Sequence, residues 1–164
     1  MFTLHCTAKL RDRIKRSLAS TKRPSTTLLG DWYATALFWK PQQLALLVNE
    51  RTLMPILLPL APASTLPERL GPAVGALLHQ YGMALPLIER ELAAMSEVDI
   101  AKTSNRRVVG TMNEFGFEAS IYREDMGATD LAKLSMRLAE SPCGAIGYNS
   151  PDRLMLDVVS RTLH

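Results

Sequence analysis

The amino-acid sequence predicts a single α+β domain, with a small mixed or antiparallel sheet of about four strands covered by six to seven helices. Three observations predict it. The chain has 164 residues, enough for one sizeable core, and 47% of them are apolar. Alternating or wholly apolar short runs stand at residues 1–6, 44–48, 53–58 and 97–101. Helical stripes with cap signals occupy much of the remaining chain. There is no internal period and no low-complexity tract, so repeat and disordered architectures are excluded.

In chain order, Phe2, Leu4 and Cys6 alternate with Thr3 and His5, the pattern of a strand. Thr7 then caps a predicted helix from about Ala8 to Ser20, with Leu10, Ile14 and Leu18 as its apolar stripe. Asp31 is read as the N-cap of a short helix, Trp32 to Trp39, that Pro41 stops. Leu44–Val48 and Leu53–Leu58 are apolar runs around Asn49-Glu50-Arg51-Thr52, which suits a hairpin turn, with a functional polar triad of Asn49, Glu50 and Arg51 at a sheet end as the less favoured reading. Pro55 places the second of these strands at an edge or a bulge.

Thr65-Leu66-Pro67-Glu68 has the form of a capping box, opening a helix to about Tyr81 that Gly82 ends. His79 lies off its stripe and is expected at the surface. A second helix, about Pro86 to Met95, is expected to pack against it as a hairpin on one sheet face. Val98 and Ile100 alternate in a strand. Ser104 is then read as the cap of a long helix whose core face is Val108, Met112, Phe115, Ala119 and Tyr122. Within it, Gly110 and Gly116 suggest close approach of another backbone, and Asn113 suggests a core-edge amide that orders the preceding turn. Thr129 or Asp130 caps the next helix, and Ser150-Pro151 opens the last.

Charge is unevenly placed. The first 29 residues carry seven Lys and Arg against Asp12 alone, within a net charge of +3, so the remainder is acidic. A basic end on an acidic body suits a polyanion or an acidic protein surface. Cys6 and Cys143 are the only cysteines, too few and too far apart for a disulfide framework or a zinc set. Both are expected reduced, in a cytoplasm. No run is long and apolar enough for a secretion signal or a bilayer span, so no membrane association is expected.

The candidate site is the turn Lys102-Thr103-Ser104-Asn105-Arg106-Arg107. A strand leads into it and a helix leaves it, so unpaired backbone N–H groups and the positive end of the helix dipole meet three cationic side chains there. Arg suits bidentate phosphate contact and Lys acts as a point charge. Lys9, Arg11 and Lys15 of the basic N-terminal helix are the expected companions. The turn is not a P-loop, because the glycines are missing. No HExxH, CxxC or GxSxG occurs, and His5, His79 and His164 are scattered, so no catalytic set, metal site or cofactor is assigned. If the protein catalyses anything, His5 is the acid or base to consider, beside Lys102 and Arg106. Stacking of a nucleobase on Trp32 or Trp39 is weighed against a core role, which the apolar context favours.

Four stretches carry a resemblance: the opening MFTLHCTAKL, Leu29-Gly-Asp-Trp-Tyr-Ala34, Val48-Asn-Glu-Arg-Thr52 and Lys102 to Phe115, KTSNRRVVGTMNEF. Together the sequence resembles a family of small bacterial proteins that carry a domain of unknown function. That resemblance implies a bacterial, cytoplasmic protein and transfers no catalytic residue. The leading expectation is therefore a protein that binds nucleic acid or another phosphate-bearing partner through a basic surface. The alternatives are an interaction module, an inhibitor or an accessory factor of a mobile element, docking on an acidic protein, and a toxin-like ribonuclease.

Overall fold

The computed structural model describes residues 1–126 and 130–163. Its elements are β1 (Phe2–Cys6), α1 (Ala8–Ile14), β2 (Trp32–Leu37), β3 (Leu44–Asn49), β4 (Pro55–Pro59), α2 (Leu66–Gln80), α3 (Leu85–Ala94), β5 (Val98–Lys102), α4 (Arg106–Met126), α5 (Leu131–Ala139) and α6 (Pro151–Arg161). The five strands form one sheet in the order β4-β3-β2-β1-β5. β1 runs parallel to both β2 and β5, whereas β2, β3 and β4 form an antiparallel meander. The fold is thus α+β on a mixed sheet.

Helices cover both faces, which is why β1, β2 and β3 are buried at nearly every position and read as continuous apolar runs. On one face Phe2, Leu4, Trp32, Ala34 and Leu47 meet Leu10 and Ile14 of α1, Leu70, Val74 and Leu78 of α2, Ile88 of α3, and Met155 and Val159 of α6. On the other face Tyr33, Leu44, Leu46 and Val48 meet Val108, Met112, Phe115 and Ala119 of α4, with Leu134 and Leu138 of α5. The α4 stripe is the one its sequence spacing predicts. α2 and α3 pack on each other, as expected.

Both sheet edges are covered. At β4, Pro55 and Pro59 have no N–H to offer, and the Leu57 N–H donates to Ser135 Oγ of α5 at 3.0 Å. At β5, the Ala19 N–H donates to the Ile100 carbonyl at 2.9 Å, so the segment after α1 seals that edge.

Several expectations are corrected. The extra strand is β2, read from sequence as the helix Trp32 to Trp39. An apolar run this short has no face of its own, and Trp32 and Tyr33 are buried on opposite sides of the sheet. Asp31 accordingly caps nothing. α1 stops at Ile14, because Lys15 turns left-handed (φ 57°) and returns its N–H to the Arg11 carbonyl. Leu18, 42% exposed, is therefore not part of a buried stripe. Asn105, not Ser104, caps α4: its Oδ1 accepts from the Arg107 and Val108 N–H groups at 3.0 and 3.4 Å.

Thr65 makes no side-chain cap, since a 3-10 turn (Ala63–Thr65) precedes α2 and Arg69 gathers the carbonyls of Pro59, Leu60 and Pro62. Finally, no backbone crowds the glycines of α4. A Cβ at Gly110 would meet nothing within 4 Å, and one at Gly116 would meet only the Leu37 side chain. Asn113 is exposed, and the buried polar residue one turn into α4 is Thr111, bonded to the Arg107 carbonyl. Asp130 and Ser150 do cap α5 and α6, while Thr129 and His164 lie outside the described residues.

Candidate functional site

β1 alternation sends Thr3 and His5 to the sheet face that α4 occupies further along, over β2 and β3. His5 is only 4% exposed. Its ring stacks on Tyr33, its registered neighbour on β2, with centroids 4.5 Å apart and planes 15° from parallel. Nδ1 donates to the Lys102 carbonyl at 3.1 Å, and Nε2 stands 3.4 Å from Asp31 Oδ2. The other Asp31 oxygen accepts from the Thr3 N–H at 2.9 Å. Glu50 closes the group: one donor atom each of His5, Asp31 and Glu50 lie within 4.8 Å of one another.

Local sequence dictates this assembly. Asp31 stands at the end of a tight segment in which Gly30 takes a left-handed φ of 76°. Buried Asn49 holds that segment from the β3 side, donating to the carbonyls of Leu29 and Asp31 at 2.9 and 3.3 Å. Its Oδ1 accepts from the backbone of Arg51 and Thr52 and from the Thr52 hydroxyl, which makes the hairpin turn. Glu91 of α3, also buried, accepts from the Leu28 and Leu29 N–H groups. On the far side the Tyr33 hydroxyl accepts from the Asn105 N–H at 3.0 Å and bonds Ser104 Oγ at 3.3 Å. Asn105 Nδ2 reaches Glu50 at 3.5 Å.

A cavity of about 250 Å³ opens beside His5. Thr3, His5, Ser20, Thr21, Lys22, Lys102 and Ser104 supply its polar lining, and the 19–22 segment crosses from the β5 edge to roof it. Two exposed ammonium groups, from Lys22 and Lys102, therefore flank a buried histidine.

The sequence-predicted site residues divide. Lys102 and Ser104 line the cavity. Asn105 caps α4, and Thr103 is half-buried beside it. Arg106 and Arg107 are exposed at the start of α4, and among the described residues neither forms an ion pair.

Lys9, Arg11 and Lys15 do not join them. They sit on or just beyond α1, whose Leu10 and Ile14 pack on the opposite sheet face. Lys9 and Arg13 there lie over the exposed ring of Phe38, each 5.7 Å from its centroid. Arg16 pairs with Glu68, and Arg23 is bidentate to Asp99 and also reaches Glu97. Of the seven N-terminal Lys and Arg residues, Lys22 alone lines the cavity.

Asp31 and Tyr33 escape sequence reasoning, the first as a helix cap, and Glu50 is read there chiefly as turn chemistry rather than as part of a polar triad at a sheet end. Trp32 is fully buried core. Trp39 is half-buried, with the Arg123 guanidinium 4.8 Å above its ring.

Burial raises the Asp31 carboxyl, but the His5 contact, the Thr3 N–H and the Lys22 charge together outweigh it and hold the group below its ordinary 3.8. Glu68 is likewise held below 4.5, chiefly by Arg16, and Asp99 below 3.8 by Arg23. A carboxyl depressed in the folded chain contributes stability above its unfolded pKa and loses it as the pH falls through the folded value. These three carboxyls should therefore make stability fall as the pH drops below about 4.5, where they protonate. Urea midpoints measured across that range check this, and Asp31→Asn should make the decline shallower.

Fold and site together define an α+β protein built on one five-stranded mixed sheet, with a polar pocket fringed by lysines on one sheet face. The chain belongs to the family described as Domain of unknown function (DUF6933), whose model matches residues 3–154. No curated protein and no solved structure matches the chain. Among the described residues, no helix is long and apolar enough to cross a membrane. The four stretches singled out in the sequence meet at this one place. They supply His5, then Asp31 and Tyr33, then Asn49 and Glu50, then Lys102, Ser104 and Asn105.

Proposed function

We propose that the protein binds a phosphate-bearing ligand, nucleic acid first, with Lys22 and Lys102 gripping a phosphate at the cavity mouth. The observation that carries this reading is that these two lysines, far apart in the chain, line one cavity. Arg106 and Arg107 follow directly on and extend the cationic strip along the start of α4. Lys9, Arg11 and Lys15 fall outside it. The protein's setting is a bacterial cytoplasm. The sequence resemblance supports that, as do two free, buried thiols, which burial first of all raises to about 12 at Cys6 and about 11 at Cys143.

Fluorescence anisotropy with labelled RNA and DNA oligonucleotides over a salt series tests the proposal. Binding should weaken steeply with salt. Lys22→Ala and Lys102→Ala should each weaken it uniformly across sequences and reduce the salt slope by about one. Lys9→Ala, on the other sheet face, should change neither. Absence of binding at low salt sinks the reading. Partners captured from bacterial lysate that survive nuclease treatment would point to an acidic protein surface instead. The same labelled RNA reports any cleavage.

A further inference from the structure

The bond from His5 to Lys102 fixes the proton on the ring. A carbonyl oxygen only accepts, so Nδ1, 3.1 Å from the Lys102 oxygen, carries the hydrogen. In a neutral ring Nε2 is then a bare lone pair. It faces Asp31 Oδ2 at 3.4 Å, and a carboxylate also only accepts. Two acceptors placed face to face need a proton between them, on the ring or on the carboxyl, or a metal ion.

Glu50 favours the metal. It follows the last residue of β3, and its N–H donates to the Asp31 carbonyl at 3.0 Å, so the two acidic residues lie side by side at the end of the β2–β3 pair. Like charges so placed repel. Among the described residues no Lys or Arg forms an ion pair with either carboxylate, and the Lys22 charge acts on Asp31 only from beyond ion-pair distance. One proton on His5 would leave this trio with a net negative charge. A divalent ion neutralises both carboxylates and takes the Nε2 lone pair at the same time.

We propose that His5 Nε2, Asp31 Oδ2 and the Glu50 carboxylate bind one divalent cation of the zinc or manganese type. One imidazole nitrogen with two carboxylate oxygens suits those metals. Bonds of about 2.0–2.2 Å bring such ligands to about 3–4 Å of one another, so a side-chain shift of about 1 Å completes the set. The outer contacts have the form that orients metal ligands. His5 donates its other N–H to a carbonyl, Asp31 accepts from the Thr3 N–H, and Glu50 accepts from Asn105 Nδ2 at 3.5 Å. His5 also lines the cavity, which gives an ion a path from solvent. Three protein ligands leave coordination positions for water or a ligand atom. The inference does not depend on the phosphate-binding proposal.

The test uses the full chain stripped with a chelator and titrated with zinc or manganese chloride in the absence of nucleic acid. Calorimetry should show one ion per chain, and the melting temperature should rise with ion concentration. His5→Gln and Asp31→Asn should weaken binding about 100-fold or more, beyond the range for outer contacts. Glu50→Gln, an isosteric change at a half-buried position, should weaken it at least about tenfold. Nitrogen NMR of the His5 ring should show Nε2 shifting on ion addition while Nδ1 keeps its proton. Failure to saturate at one ion overturns the proposal. So does equal uptake by Glu50→Gln and the parent, or a protonated Nε2 in excess metal.

Discussion

Asn49→Ala should lower stability by about 3 kcal/mol or more and the melting temperature by about 6–12 °C. Asn49 is fully buried and uses both ends of its amide. Nδ2 serves the carbonyls of Leu29 and Asp31, and Oδ1 serves two N–H groups and the Thr52 hydroxyl. Alanine removes every one of these partners and leaves the buried ones, the Thr52 N–H and hydroxyl and the Leu29 carbonyl, unpaired. Each buried polar group left unsatisfied costs about 1–3 kcal/mol. Asn49→Asp should not rescue, since it keeps the acceptor, loses the donor and places a third carboxylate near Asp31 and Glu50. Urea unfolding of the three proteins decides the matter. An alanine variant within about 1 kcal/mol of the parent would show that the turn stands without its amide.

Sequence reasoning reached some elements and not others for identifiable reasons. α4 and its buried stripe, the Asn49–Thr52 turn, β5 and the edge position of Pro55 were all legible, because each rests on contacts close in sequence or on a property of one residue. β2 was not legible. Its alternation is masked by burial on both faces, so Trp32 to Trp39 has neither a helical nor a strand period to read. α1 overran because Lys15 has no sequence mark for a left-handed turn.

The candidate site was half legible for the same reason. A cationic helix start is local, and Lys102 to Arg107 was visible. The His5, Asp31 and Glu50 trio joins three separate strand ends, and only the parallel registration of β1 with β2 and the return of β3 bring it together. The signal that could have found it was chemical. Three polar residues, His5, Asp31 and Asn49, interrupt or abut otherwise buried apolar runs, and buried polar groups require partners. Basic residues misled in the opposite direction. Seven cations in the N-terminal segment looked like one surface, yet Arg16 and Arg23 are spent on Glu68 and Asp99, and α1 turns Lys9 and Arg13 to the other face.

Glu91→Ala should cost about 3 kcal/mol, comparable to the loss at Asn49, because it acts on the same segment from the other side. Glu91 is 4% exposed and lies on the α3 face toward the sheet. Its carboxylate takes the Leu28 N–H at 2.7 Å and the Leu29 N–H at 3.3 Å. Hydrogen bonds to a charged acceptor contribute about 1.5–3 kcal/mol each. Glu91→Gln should recover part of the loss only, since one of its two terminal atoms becomes a donor facing a donor.

Asn49 and Glu91 hold the carbonyl and the N–H of the same Leu29, so their losses should not add. In a double-mutant cycle the pair should fall short of the sum by about 0.5–3 kcal/mol, because once either clamp is gone the 28–31 segment is already loose. Strict additivity would mean that the two clamps act on separate units. The site reads the same loosening. Asp31 is the next residue but one, so either single variant should weaken zinc uptake by His5, Asp31 and Glu50 although neither residue touches the ion.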